Sequence, residues 1–367
     1  MTARPCARRS LTIQRRCGIV LIVLGAVRPG ICQSPERSAA ARQAVSIVGR
    51  VVVEPGMNVP SAVGLRVNAQ PLPELGSPTP TFAAVAYDWS FRMTAPAWLY
   101  QFSATADRPP FVIATRIIVD GVEMAATSAV TLADGTHDVV VFVAPREASK
   151  STIDTTLSTG ALVDQFRNET VFWRQFEFAK AIADRRDTSV LPTLVSWLDH
   201  DDRRLRGNAA FIFARLGDAR GFEVITGILT DRSDRPLEEG ARGKWTLREQ
   251  IRSDRYYAAH LLGDLRDARA VPILIALLHG KDVNAIVPWS LAEIGDRRAI
   301  GPLIEILDDP DASMCVLAIY ALETLNARET VPRLNALLND PRKSNFGAQV
   351  SVGDAARAAM AQLLTRR

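Results

Sequence analysis

The sequence predicts a two-part β + α protein, a small β-sandwich followed by an α-solenoid of stacked helical hairpins. Three observations carry the prediction. Charge density changes along the chain: residues 34–165 hold 9 basic and 12 acidic groups, whereas residues 166–367 hold 29 and 28. Short β-branched runs bounded by turn residues fill the first part. In the second, apolar pairs recur with a period of about 30 residues, as repeat arrays require.

The chain opens with a segment set apart by its charge. Of 44 Lys and Arg against 40 Asp and Glu, six Arg and no acid fall in residues 1–33. The remainder therefore carries 38 basic and 40 acidic groups, a balance that argues against a nucleic-acid partner. An apolar run at 17–27 (CGIVLIVLGAV) follows the Arg-rich start and ends at Arg28-Pro29-Gly30. It is shorter than the roughly 20 residues needed to cross a bilayer. Residues 1–33 are therefore predicted to be a signal peptide, cleaved near 32–34, that sends the chain to a bacterial periplasm, cell envelope or extracellular space with no transmembrane segment left. Cys6, Cys17 and Cys32 lie in or beside that segment, which leaves Cys315 alone and no internal disulfide in the exported part.

Strand-like runs follow at 46–53 (SIVGRVVV), 62–67, 81–86, 98–103, 111–119 and 139–143. Turn signals separate them, among them Glu54-Pro55-Gly56, Asp120-Gly121 and Asp134-Gly135. Six or seven strands at this spacing predict the sandwich over 46–146. Gly49-Arg50-Val51, then Gly56 and Pro60, then Asp88-Trp89-Ser90-Phe91, then a strand closing on Asp120-Gly121, resemble the carboxypeptidase regulatory-like domain. Trp89 stands where that family has Gly. The resemblance implies a non-catalytic accessory module. Residues 147–165, rich in Ser and Thr, read as a linker.

From 166 the period can be counted. The pairs Trp197-Leu198, Ile228-Leu229, Leu277-Leu278, Ile306-Leu307 and Leu337-Leu338 are 31, 49, 29 and 31 positions apart. A column in the preceding helices, Arg185, Leu216, Leu265, Ile294 and Leu325, repeats those intervals. Three positions earlier stand Ile182, Phe213, Leu262, Leu291 and Leu322, and six earlier Ala179, Ala210, Ala259, Pro288 and Ile319, so each first helix has one apolar face with room for a close neighbour. Asp187, Asp218, Asp267 and Asp296 fall at the turn, where a carboxylate caps the next helix, and Ala327 takes the fifth place. Pro192, Pro272, Pro302 and Pro332 follow in the first turn.

Residues 258–272 (AAHLLGDLRDARAVP) resemble HEAT repeats of the phycobilisome-lyase-like type. The likeness covers 166–367, five units and a C-terminal partial one. It implies an armadillo-type superhelix that binds protein partners on its second-helix face, with Asp and Arg ladders between repeats.

Two groups of residues stand out as binding candidates. The 49-residue interval holds about 19 extra residues within 231–252, where Arg242, Lys244 and Arg248 surround Trp245. Basic groups beside an aromatic suit a contact patch, and the same stretch also reads as a solvated loop. The second is a column of Lys180, Phe211, His260, Trp289 and Tyr320, a recognition stripe or else packing between repeats. No catalytic or metal set is predicted. None of the four His is followed by Glu, the acids around His200 read as turn residues, and Cys315 reads as a buried thiol in an apolar helix. The functional expectation is an exported, non-enzymatic scaffold that binds a protein or peptide without cofactor or metal. An accessory or regulatory subunit of an envelope hydrolase is the alternative, and a lyase-type or metal-dependent HEAT-like enzyme the third reading.

Overall fold

A computed structural model describes residues 43–73, 77–108, 110–146, 153–154, 156–230, 237, 243–278 and 285–365. The signal read in residues 1–33, Arg242 and most of the 231–242 stretch lie outside the described residues.

Nine strands are described: β1 (Ala44–Val53), β2 (Leu65–Pro71), β3 (Thr81–Ala84), β4 (Ser90–Pro96), β5 (Trp98–Ala106), β6 (Val112–Val119), β7 (Val122–Ala125), β8 (Ala129–Leu132) and β9 (Thr136–Pro145). They form two sheets, β4-β1-β9-β6-β7 and β3-β2-β5-β8. The pairing of β1 with β9 is parallel, with Val51 beside Val141, and every other pair is antiparallel. Alternate residues point inward, so Ile47, Val67, Tyr100, Phe102, Ile117, Leu132 and Val141 from both sheets share one core. Trp89, in the turn before β4, has φ 68°, the left-handed conformation that a Gly would take without strain.

The helices are α1 (Thr159–Asn168), α2 (Phe172–Asp184), α3 (Leu191–Leu194), α4 (Arg203–Arg215), α5 (Ala219–Thr230), α6 (Leu247–Leu265), α7 (Val271–Leu277), α8 (Val287–Ile294), α9 (Ile300–Glu305), α10 (Ala312–Thr324), α11 (Val331–Ala336) and α12 (Val352–Thr365). Helix α1 begins inside the stretch read as linker, because the Ser158 hydroxyl accepts from the Ala161 N–H and caps it. First helices stack in series, α2 on α4, then α6, α8, α10 and α12. The columns meet where the spacing puts them: Ala179, Ala210, Ala259 and Ile319 are 0% exposed, as are Ile182, Phe213, Leu262, Leu291 and Leu322. Small residues let backbones approach, and a Cβ at Gly221 of α5 would lie 2.3 Å from Ala210 O and 2.2 Å from Ala214 N of α4.

The turn acids cap as their position predicts. Asp187, Asp218, Asp267 and Asp296 each accept from the N–H two residues on. The Arg of the expected inter-repeat ladder bends back instead. Arg220, Arg269 and Arg298 pair with the Asp two residues earlier in their own turn, at 2.7, 2.6 and 2.7 Å. The partners are only two positions apart, so this fork closes with less ordering than a reach to the next repeat needs. Arg298 alone of these three also reaches back, to Ala268 O at 2.9 Å. Other ions link neighbouring units, Arg266 with Glu293 and Arg297 with Glu329 among them. Glu329 thus couples the fifth unit, whose turn has neither the Asp nor the Arg.

Two predictions follow from this packing. Gly221→Ala and Ala259→Leu each overfill a helix contact and should cost about 1–3 kcal/mol in denaturant unfolding; an unchanged midpoint would show that the columns are misplaced. Hydrogen bonding from Arg269 holds the Asp267 carboxyl below its ordinary 3.8. A depressed carboxylate stabilises fully above the unfolded value and loses that contribution as pH falls through the folded one. Asp267→Asn should therefore melt slightly lower than wild type at pH 7, the two curves converging in strong acid.

Candidate functional site

Helix α6 is longer than its counterparts. The repeat spacing starts it at residue 254, but the structure starts it at Leu247, because Thr246 and Glu249 cap each other. Glu249 N donates to the Thr246 hydroxyl at 3.3 Å, and Thr246 N donates to the Glu249 carboxylate at 2.8 Å. The last part of the insertion is thus helix rather than loop. Gln250, 4% exposed, donates to Trp245 O at 3.1 Å and accepts from Leu237 N at 3.1 Å. Arg255, also buried, donates to Leu229 O at 2.7 Å and ties α6 to the end of α5. The backbone at Trp245 is held by the Gln250 bond.

The extension raises one wall of a cleft of about 700 Å³ over α4. Phe172, Phe176 and Lys180, spaced by four, line it from α2, and Ser253, Tyr257, His260 and Asp264 line it from α6. Trp173, Trp245 and Tyr256 stand at its rim, 59, 47 and 43% exposed. Among the described residues they are the exposed aromatic side chains of the solenoid, and all three converge here. Exposed apolar area gathered in one concavity marks a binding site more than a packing fault.

Arg204 of α4 supplies the floor. Its guanidinium lies 4.4 Å from the Phe172 ring centre and 5.4 Å from that of Trp245, donates to the Ser253 hydroxyl at 2.9 Å, and faces buried Asp254 at 3.5 Å. Such a cation is fixed in direction before any ligand arrives. Beneath it runs a buried polar chain. Tyr257 donates to Asn208 Oδ1 at 2.6 Å, Asn208 donates to Gln175 Oε1 at 2.9 Å and to Phe172 O at 2.8 Å, and Gln175 donates to Phe166 O at 3.1 Å. Asn208 and Gln175 are both 0% exposed. One chain thus joins α6, α4, α2 and the end of α1, and Phe172 meets Tyr257 edge-on at 5.0 Å.

Burial pushes the Tyr257 phenol far above its ordinary range, so it stays neutral. Burial also raises the Asp264 carboxyl, against the pull of His260, whose Nδ1 is 3.7 Å away, and of Lys180. The lining thus sets Asp264 beside His260, while Lys180 donates to the Glu177 carboxylate of the same cleft at 2.8 Å. Among the described residues no group of three His, Cys, Asp or Glu is placed to hold a metal.

The sequence candidates divide. Trp245 and His260 open on the cleft. Lys244 and Arg248 are exposed beside it without lining it, and Arg242 lies outside the described residues. Phe211 is core, 3% exposed and 4.9 Å from the Phe176 ring. Trp289 lines a different cavity, beside the sandwich, and Tyr320 is buried under Arg108. Cys315 is buried, with Sγ 3.1 Å from Asp309 O, and burial raises its thiol. His200 stacks on Trp197 and accepts from Asp202 N. Sequence reasoning missed Phe172, Trp173, Phe176, Arg204, Tyr256 and Tyr257. The fourfold spacing on α2 was readable, but nothing in the sequence says that α2 and α6 face each other across α4. The cleft lies on first helices, not on the second-helix face that the resemblance implies.

Comparison with known proteins places this architecture. Residues 245–323 match the family of HEAT repeats, and the solenoid is built of such repeats. The chain is 32% identical over 149 residues to the bilin biosynthesis protein PecE of Nostoc sp., covering 40% of this chain and 54% of that one. It is 35% identical over 113 residues to the phycocyanobilin lyase subunit alpha of Picosynechococcus sp. (26% and 42%), and 37% identical over 147 residues to PecE of Mastigocladus laminosus (39% and 51%). The chain thus spans about half the length of these relatives. Among solved structures, the designed armadillo repeat protein YIII(Dq)4CqI is 17% identical, over 56% of this chain and all of that one, with a TM-score of 0.31. The relatives overturn the expectation of a non-enzymatic scaffold. One is named as a phycocyanobilin lyase subunit and two for bilin biosynthesis, which favours the lyase-type reading placed third from sequence. Among the described residues no helix is long and apolar enough to cross a membrane.

The buried chain under the cleft gives a direct prediction. Tyr257→Phe leaves Asn208 Oδ1 buried without its donor and should cost about 1–3 kcal/mol of stability; a loss near zero would show that the chain does not hold the cleft walls.

Proposed function

We propose that the solenoid is a lyase-type module acting on a bilin, an open-chain tetrapyrrole, which lies in the cleft between α2 and α6 while a partner protein is engaged. The observation that carries this is the convergence of Trp173, Trp245 and Tyr256 on one concavity that already holds an oriented arginine. A bilin is a long conjugated ligand bearing carboxylates. Its faces suit aromatic walls, and its carboxylates suit Lys180, half-exposed and held at 2.8 Å by Glu177, with Arg204 beneath it braced by Asp254. The His260 and Asp264 side chains, beside Lys180, supply groups that can hold and pass a proton next to the ligand. The three relatives named for bilin biosynthesis or phycocyanobilin lyase support the same ligand class, and one of them is by name a subunit. Export through residues 1–33 belongs to this proposal as well, and amino-terminal sequencing of the chain from its native host tests it.

Titration of the full chain with phycocyanobilin, followed by visible absorbance, tests the ligand class. Trp245→Ala combined with Lys180→Ala should weaken binding by at least about tenfold, roughly 1.4 kcal/mol, with a smaller change in stability because both side chains are half-exposed and neither is part of the buried core. Equal affinity in the two proteins would remove the cleft as the site. Covalent attachment of the bilin to a cysteine-bearing acceptor, followed by mass, tests the activity itself.

A further inference from the structure

At the other end of the solenoid the same first-helix side is covered by the chain's own sandwich. Arg42–Arg367 form one compact unit. Arg108, in the connection after β5, lays its guanidinium 4.2 Å from the Tyr320 ring centre and donates to Glu323 at 2.9 Å, both on α10. The Arg108 and Glu323 side chains are 13 and 4% exposed. Burial pushes the Tyr320 phenol well above its ordinary range, so the ring remains a neutral face for the cation. Beside it, both Asp107 carboxylate oxygens lie 3.1 Å from Ala348 N, and Arg66 donates to Gly347 O at 3.3 Å. Gly347, at φ 50°, leaves no space for a side chain: a Cβ would fall inside the Asp107 carboxylate. Gln362 of α12 donates to Pro60 O at 2.9 Å, and Val63 is buried in the solenoid core rather than in the sandwich core.

An aromatic face and a buried carboxylate at right reach for one guanidinium make a reader of arginine. We propose that the Tyr320 and Glu323 surface of α10 is an arginine-binding site, occupied in cis by Arg108, so that a protein presenting an arginine gains this end of the solenoid only by displacing the sandwich. The occupant is settled by the buried ion pair itself. A charge buried with its partner is costly to expose alone, and a competing arginine offers Glu323 the same pair. The site is separate from the aromatic cleft, and the proposal does not rest on the bilin reading.

The full chain and Arg108→Ala are titrated with the blocked peptide Ser-Ala-Thr-Ala-Asp-Arg, residues 103–108 of this chain, by calorimetry. Hydrogen exchange is followed at residues 59–66 and 344–350. Arg108→Ala should bind the peptide at least tenfold more tightly than wild type and exchange at least tenfold faster in both segments. Arg108→Ala with Glu323→Gln should lose the peptide. Peptide affinity equal in wild type and Arg108→Ala, or exchange unchanged by the substitution, would overturn the proposal. Should Arg108→Ala fail to fold, saturating peptide on the wild-type chain must speed exchange at 59–66, and no acceleration would likewise overturn it.

Discussion

A helical hairpin with one apolar face cannot bury that face by itself, and the solenoid depends on this constraint. Each first helix must present small residues where its neighbour crosses and large ones beside them. Ala179, Ala210 and Ala259 do the first, and Ile182, Phe213 and Leu262 the second, all without solvent contact. Close approach then fixes the turns. An Asp accepts the N–H groups of the short second helix, and where an Arg follows it closes on that Asp in the same turn. Stacking strength comes from the buried columns. The ion pairs between units, such as Arg266 with Glu293, lie in solvent and add little to it.

The candidate cleft arises where this regularity is broken. The third unit extends its first helix by two turns, held by the Thr246 and Glu249 capping box. That extension brings Trp245 to the rim of a cleft where Trp173 of α2 and Tyr256 of α6 are also exposed. The polar chain from Tyr257 to Gln175 keeps the two walls at a set distance, and Arg204 is fixed against both. The opposite end has no such freedom, because the sandwich sits on α10 through Arg108 and on the segment after α11 through Asp107. One stack of helices thus has an open aromatic cleft at one end and a face covered by the sandwich at the other.

Much of this was legible in the residues. Period and column fixed the repeat register, and the turn acids and prolines located each second helix. Six strands were read, whereas β4 (SFRMTAP), β7 and β8 were missed: β4 has no β-branched run, and β7 and β8 are four-residue strands crowded between β6 and β9 by short turns. The site was half legible. Trp245 and His260 were singled out, but in separate groups, because linear spacing cannot show that the insertion folds back onto α6. Tyr320 and Trp289 shared a column with His260, yet they meet the sandwich, a contact between parts more than 200 positions apart that no local pattern encodes. The lyase-type reading ranked low because the residues show no ligand set or catalytic pair, and a cleft of aromatic walls around a fixed cation leaves no such linear pattern.

The account therefore turns on the cleft between α2 and α6 as the place where a conjugated, carboxylate-bearing ligand is held. Hydrogen exchange of the full chain, with and without saturating phycocyanobilin, tests this most directly. The account predicts slower exchange along 172–180 and 245–260, with residues 312–324 unaffected. Protection confined to the sandwich or to α10, with α2 and α6 unchanged, would contradict it.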